Sequence, residues 1–130
     1  METRSQKYAV EVYKRVAVHK GKSTEQRTKY GIMAHKLPVL IRTAGLAQAI
    51  SFLETKTGET GEEMNKQLLE DLSSVVSEVS GIDIGGNLPA KCREAELQEY
   101  IRLTKDTLDA LLWFKRYSVS VLEVKNNANE

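Results

Sequence analysis

This sequence predicts an all-α fold, a single-domain bundle of five to six helices, and three observations predict it. Apolar residues recur at three- and four-residue steps over most of the chain, the spacing of one helix face. Glycine-rich hairpin turns are lacking, and only Ser118–Val124 (SVSVLEV) alternates as a half-buried strand does. The connections are short and carry helix caps and stops. At 130 residues the chain suits one compact domain, 1–125, with 126–130 as a frayed tail.

Helix 1 is predicted over about Glu2–Val18. Ala9, Val12, Tyr13, Val16 and Ala17 share one side, and Arg4, Lys7, Lys14 and Arg15 the other, with Glu11 among them. His19-Lys20-Gly21-Lys22 ends it: cations suit a helix C-terminus, and glycine stops it. Helix 2 opens on Ser23-Thr24-Glu25-Gln26, a capping box, and runs to about Lys36. Pro38 lacks the N–H for the helical ladder and disfavours helix at Leu37, so a kink or break is expected before helix resumes to Ala44. Gly45 is the next stop. Helix 3 runs from Leu46 to about Lys56, and Thr57–Gly61 is a loop.

Thr60 and Glu63 form a second capping box. Helix 4 follows, with Met64, Leu68, Leu72, Val75, Val76 and Val79 on one face, and ends at Ser80-Gly81. Ile82–Pro89 (IDIGGNLP) reads as a surface connection. A helix begins near Ala90 and breaks before Leu97. The last helix repeats Leu97, Ile101, Thr104, Leu108, Leu111, Leu112, Val119 and Leu122, and Ser118–Val124 reads as its end.

Composition narrows the function. Hydrophobic residues make up 41% and charged residues 28%, as in ordinary soluble globular proteins. One cysteine, Cys92, rules out an intrachain disulfide and suits a reducing cytoplasm. The start, METRSQKY, has no apolar signal region, and no apolar run is long enough to span a membrane. The formal net charge of +1 conceals an asymmetry: residues 1–45 carry +7, residues 46–90 carry −6, and residues 91–130 balance. Such a split suits a molecule with one anion-facing side, unless folding interleaves the segments.

Catalytic chemistry is missing. His19 and His35 lie on different helices with no second ligand at metal spacing, so no metal site is expected. His35 reads as a packing or hydrogen-bonding residue and His19 as a helix-end cation or solvated side chain. Cys92 sits between Lys91 and Arg93, cations that lower a thiol pKa, but no cysteine–histidine site accompanies it. Glu62, Glu63, Glu70 and Asp71 read as the solvated side of helix 4. Gly81, Gly85 and Gly86 lack the Gly-Lys-Ser/Thr of a phosphate loop. No enzyme, cofactor or small-molecule substrate is expected.

Surface recognition remains. The run Tyr30–Leu53 (YGIMAHKLPVLIRTAGLAQAISFL) is free of acid, and its only charges are Lys36 and Arg42. Those two, with Arg4, Lys7, Lys14 and Arg15, are the candidate phosphate contacts, since lysine and arginine meet phosphates without reading sequence. Pairing of Lys36 and Arg42 with acids of helix 4 is the competing reading. On the last helix, Arg102 and Trp113 are placed opposite the apolar stripe, with Lys105 and Arg116 between. Trp113 there suits a base, a pocket in a partner, or burial under a neighbouring helix.

The segment His35–Leu53 (HKLPVLIRTAGLAQAISFL), with Glu99–Ser118 (EYIRLTKDTLDALLWFKRYS), resembles the small subunit of the Cmr complex, the type III-B CRISPR RNA-targeting effector. The resemblance implies a non-catalytic helical subunit. It implies several copies stacked into an inner filament, beside the subunits that carry guide RNA, lining the channel where guide and target RNA pair. The implied partners are other Cmr subunits, further copies of the chain and the guide–target duplex. Lys36, Leu37, Pro38, Arg42, Gly45, Leu46 and Gln48 carry the motif; Leu37, Pro38, Gly45 and Leu46 are its architectural members. The middle, Thr55–Pro89, matches least. Two further readings are a protein–protein scaffold without nucleic-acid contact and a stand-alone DNA-binding regulator with Pro38–Gly45 as its helical turn.

Overall fold

The structure is a computed structural model, and it describes residues 3–57 and 62–125. Six helices follow in order: α1 (Arg4–Ala17), α2 (Thr24–Ala44), α3 (Leu46–Thr55), α4 (Glu63–Ser80), α5 (Leu88–Glu94) and α6 (Leu97–Ser120). No strand occurs among the described residues, and Ser118–Val124 is helix end followed by turn.

Local chemistry explains the boundaries. Thr3 and Gln6 form a capping box at α1, and Ser23 and Gln26 form the expected one at α2. The expected box of Thr60 and Glu63 involves a residue outside the described ones. Gly45, at φ 92°, separates α2 from α3. It supplies no side-chain cap, so the Tyr100 hydroxyl of α6 accepts from the Ala47 N–H at 2.9 Å in its place. Gly81, at φ 79°, ends α4 in the left-handed conformation.

Pro38 does not break α2. The helix is continuous from Thr24 to Ala44 with Pro38 buried inside it. The ring removes one ladder donor, but Leu37 and Ile41 on the same face are buried, and that packing holds the segment helical.

The core is built where α2 and α6 cross the molecule together. They run antiparallel: Gly45 of α2 meets Tyr100 near the start of α6, and Gly31 meets Val124 just beyond its end. A Cβ on Gly31 would lie 2.8–3.0 Å from Val124, so glycine makes the notch that seats this side chain. α1 packs on α6 and α4, α3 and α4 on α2, and α5 on α3. Tyr8, Tyr30, Leu37, Leu68, Leu72, Leu103 and Phe114 are fully buried in this core.

Two expected faces need correction. On α1 the buried residues are Tyr8, Val12 and Val16, while Tyr13 is 50% exposed. On α6 the buried line is Leu103, Thr107, Ala110, Leu111, Phe114 and Ser118. Leu97, Ile101, Leu112 and Val119, expected inside, are exposed. Large aliphatics pointed to one face, but the helix packs through alanine, threonine and serine, which let its neighbours approach. The Ser118 hydroxyl meets its need within the helix by donating to the Phe114 carbonyl at 2.8 Å. On α2, Ile32 belongs to the apolar pattern by spacing but is 51% exposed. The connection after α4 is also less superficial than its composition suggests, because Ile82, Ile84 and Leu88 insert into the core.

Candidate nucleic-acid interface

The six candidate cations fall into three environments. Lys36 and Arg42 are exposed on α2, and neither has an ion pair among the described residues. The alternative of pairing with α4 acids is not what these two side chains do. The Lys36 ammonium stands 5.5 Å from the centre of the Phe52 ring of α3, with Lys56 at 5.7 Å from the same ring. Phe52 thus gathers two ammonium groups from two helices. Lys56 lies four residues from Phe52, a spacing legible in sequence; its meeting with Lys36 is not.

Arg4 sits at the opening of α1 and reaches Asp106 of α6, with Nη1 3.7 Å from Oδ1. Arg102 approaches the other oxygen of the same carboxylate, Nε to Oδ2 at 3.9 Å, and also donates from Nη2 to the Ser80 carbonyl that ends α4. Burial pushes the Asp106 carboxyl above the usual carboxylate range, although Arg4 and Arg102 each pull it down. Arg42 belongs to the same end of the bundle, since the end of α2 meets Tyr100 and Arg4 meets Asp106.

Lys7, Lys14 and Arg15 lie further along α1, on the side facing α4. Lys14 is paired with Glu11 at 3.1 Å. Glu11 and Glu78 of α4 hydrogen-bond carboxyl to carboxyl, which holds Glu78 above and Glu11 below the ordinary range; Lys14 and Arg15 favour the charged form. Lys7 borders the groove beside these acids. This part of α1 is therefore mixed in charge, and the structure separates Lys14 and Arg15 from Arg4.

His19 and Asp71 are where the sequence reading fails. His19 is 2% exposed, and Asp71, expected on the solvated side of α4, is 9% exposed. His19 Nε2 donates to Asp71 Oδ2 at 2.8 Å, and the Tyr30 hydroxyl donates to the same oxygen at 2.8 Å. Burial, and then the Asp71 charge, raises the Tyr30 hydroxyl pKa. A buried carboxylate needs such donors. The trio ties the turn after α1 to α2 and α4, and it contains no nucleophile.

Cys92 is buried, and desolvation pushes its thiol up to about 12, so the flanking cations do not activate it. Among the described residues no three His, Cys, Asp or Glu side chains gather as a metal site, and no helix is long and apolar enough to cross a membrane. Trp113 is half-buried. Its ring lies 5.7 Å from that of Tyr117, and the Arg116 guanidinium lies 5.4 Å from it, so one of its faces is already engaged. A second basic groove, of about 390 Å³, is lined by His35, Leu112, Lys115, Arg116 and Val119. His35 there contacts its own helix, Nδ1 to the Gly31 carbonyl at 2.8 Å.

Comparison with known proteins agrees with the residue-level likeness. Residues 4–121 match the family model described as CRISPR-associated protein (Cas_Cmr5). The chain is 41% identical over 123 residues to the CRISPR system Cmr subunit Cmr5 of Thermus thermophilus, covering 95% of this chain and 99% of that one. A crystal structure of a CRISPR-associated Cmr5 family protein from Thermus thermophilus superposes with a TM-score of 0.78 at 39% identity, over 94% of this chain and 99% of that one. With its helical bundle and this likeness over nearly its whole length, the chain belongs to the Cmr5 family of CRISPR-associated proteins.

Proposed function

We propose that this chain is a non-catalytic small subunit of a type III-B Cmr effector in the cytoplasm, stacked with further copies into an inner filament that lines the guide–target RNA channel. Base pairing by the guide supplies specificity, and cations of this subunit neutralise phosphates without reading sequence. The observation that carries the reading is the exposure of Lys36 and Arg42 on α2 with no ion pair among the described residues. Among the described residues no internal carboxylate offsets these two charges.

The test is the double charge reversal Lys36→Glu with Arg42→Glu, assembled with the other Cmr subunits. Target-RNA affinity should fall by about tenfold or more, as for two lost phosphate contacts at moderate salt, while the helical circular dichroism stays intact. Unchanged affinity in the assembled complex means the two cations are misassigned.

A scaffold without RNA contact has its own support in Ile32, Val39, Leu97 and Ile101, four aliphatic side chains between 51% and 73% exposed that suit protein contacts. It predicts no crosslink between this subunit and RNA. The DNA-regulator reading loses its structural basis. A helix-turn-helix joins its helices by a turn of about three to four residues, whereas α2 passes through Pro38 unbroken and Gly45 alone separates it from α3.

A further inference from the structure

At one end of the bundle two guanidinium groups converge on a single buried carboxylate. Asp106 is 1% exposed, while the side chains of Arg4 and Arg102 are 51% and 50% exposed. At 3.7 and 3.9 Å both approaches are ion pairs longer than a hydrogen bond. Asp106 Oδ2 has no hydrogen bond at all. The carboxylate therefore holds the two arginines by field and leaves most of their N–H donors unspent. Only Arg102 Nη2 is committed, to the Ser80 carbonyl. Two cations against one anion leave a surplus positive charge at the surface, and exposed Lys7 follows Arg4 one turn along α1.

The carboxylate is also costly to the fold. Burial raises its pKa in spite of two neighbouring arginines. By linkage, a folded-state pKa above the unfolded one means that ionisation at neutral pH opposes folding. A hydrophobic or neutral residue would serve the core better. A charge that the core does not need calls for another role.

Resting on the RNA-binding reading above, we infer that Arg4 and Arg102 form a two-guanidinium clamp for one backbone phosphate of RNA, with Asp106 as the positioning residue that gathers them. Each guanidinium offers a planar fork that matches phosphate oxygens. Asp106 touches no ligand and acts through the arginines.

The test is Asp106→Asn, read in the full chain by titration with a 20-nucleotide oligouridylate. The Arg4 and Arg102 side-chain Nε resonances and fluorescence anisotropy are followed together. General electrostatics predicts tighter binding, because the variant gains one unit of positive charge. The clamp predicts the opposite: affinity falls on the order of tenfold, the loss of one charge-assisted hydrogen bond, although the fold is at least as stable at neutral pH. Arg102→Lys, which keeps the charge but not the fork, should lose as much. Affinity that is unchanged or tighter in Asp106→Asn overturns the clamp, as does an oligouridylate that leaves both Nε resonances in place. A poly-glutamate peptide moving both resonances when oligouridylate does not would assign the site to an acidic protein and overturn it too. If Lys36→Glu with Arg42→Glu loses RNA while Asp106→Asn does not, the clamp fails and the RNA reading stands. If oligouridylate moves no resonance of the chain, the clamp fails, and the RNA reading is decided by the charge reversal in the assembled complex.

Discussion

At the residue scale, burial decides what each charge does. Asp71 and Asp106 carry the same carboxylate on two helices, but Asp71 receives hydrogen bonds from His19 and Tyr30, while Asp106 faces two arginines beyond hydrogen-bond length. Glu11 and Glu78 show a third arrangement, a carboxyl pair joining α1 to α4. Its pH dependence has a definite sign. Glu78 is raised, so its share of stability is present at acid pH and is lost as pH climbs through its folded value. Glu11 is lowered, so its share is present above the ordinary range and is lost as pH falls through its folded value. The pair is therefore strongest in the interval between the two. Glu78→Gln keeps a donor without a titration, and should flatten the decline in thermal midpoint as pH rises from the carboxylate range toward neutrality. A decline as steep as in the parent would mean that the pair contributes nothing to it.

At the element scale, most helices were legible and two of their faces were not. Ser23, Gly45 and Gly81 act through local chemistry that a sequence displays, and the ends of α2, α3 and α4 fall where these residues place them. The face of α6 depends on what packs against it. Thr107, Ala110 and Ser118 look indifferent in sequence, yet they are buried because neighbouring helices come close there. Asp71 was hidden for the same reason: its partners are 52 and 41 residues away in the chain. Gly31 gives the sharpest prediction at this scale. Gly31→Ala should destabilise the fold by about 1–3 kcal/mol, the usual range for overpacking a core, despite the better helix propensity of alanine. Chemical denaturation measures it. Adding Val124→Ala should recover much of the loss by clearing the notch; no recovery would place the strain elsewhere.

For the whole molecule, the segmental charge asymmetry survives folding only in part. Lys14 answers Glu11, Arg4 answers Asp106, and Lys91 answers Glu99, so much of the nominal charge is cancelled locally. Lys36 and Arg42 escape that cancellation. The candidate set was thus half visible in sequence: the acid-free run around Lys36 and Arg42 could be read directly, whereas Arg102 joins Arg4 only through a buried aspartate on a distant helix. If phosphate neutralisation is the mode of binding, RNA affinity should fall steeply with salt, with a log–log slope of about −0.7 per phosphate contacted. An affinity insensitive to salt would point to apolar or hydrogen-bonded recognition instead.

The antiparallel pairing of α2 with α6 also orders events during synthesis. Gly31 waits for Val124, and Ala47 waits for the hydroxyl of Tyr100. A nascent chain that has released only its first four helices therefore lacks the helix that lies along α2. Part of the apolar surface of α2 stays uncovered until residues 97–124 leave the ribosome. Native closure is a late, long-range event that follows translation of α6, and before it the chain presents sticky helix faces to whatever holdase the cell supplies.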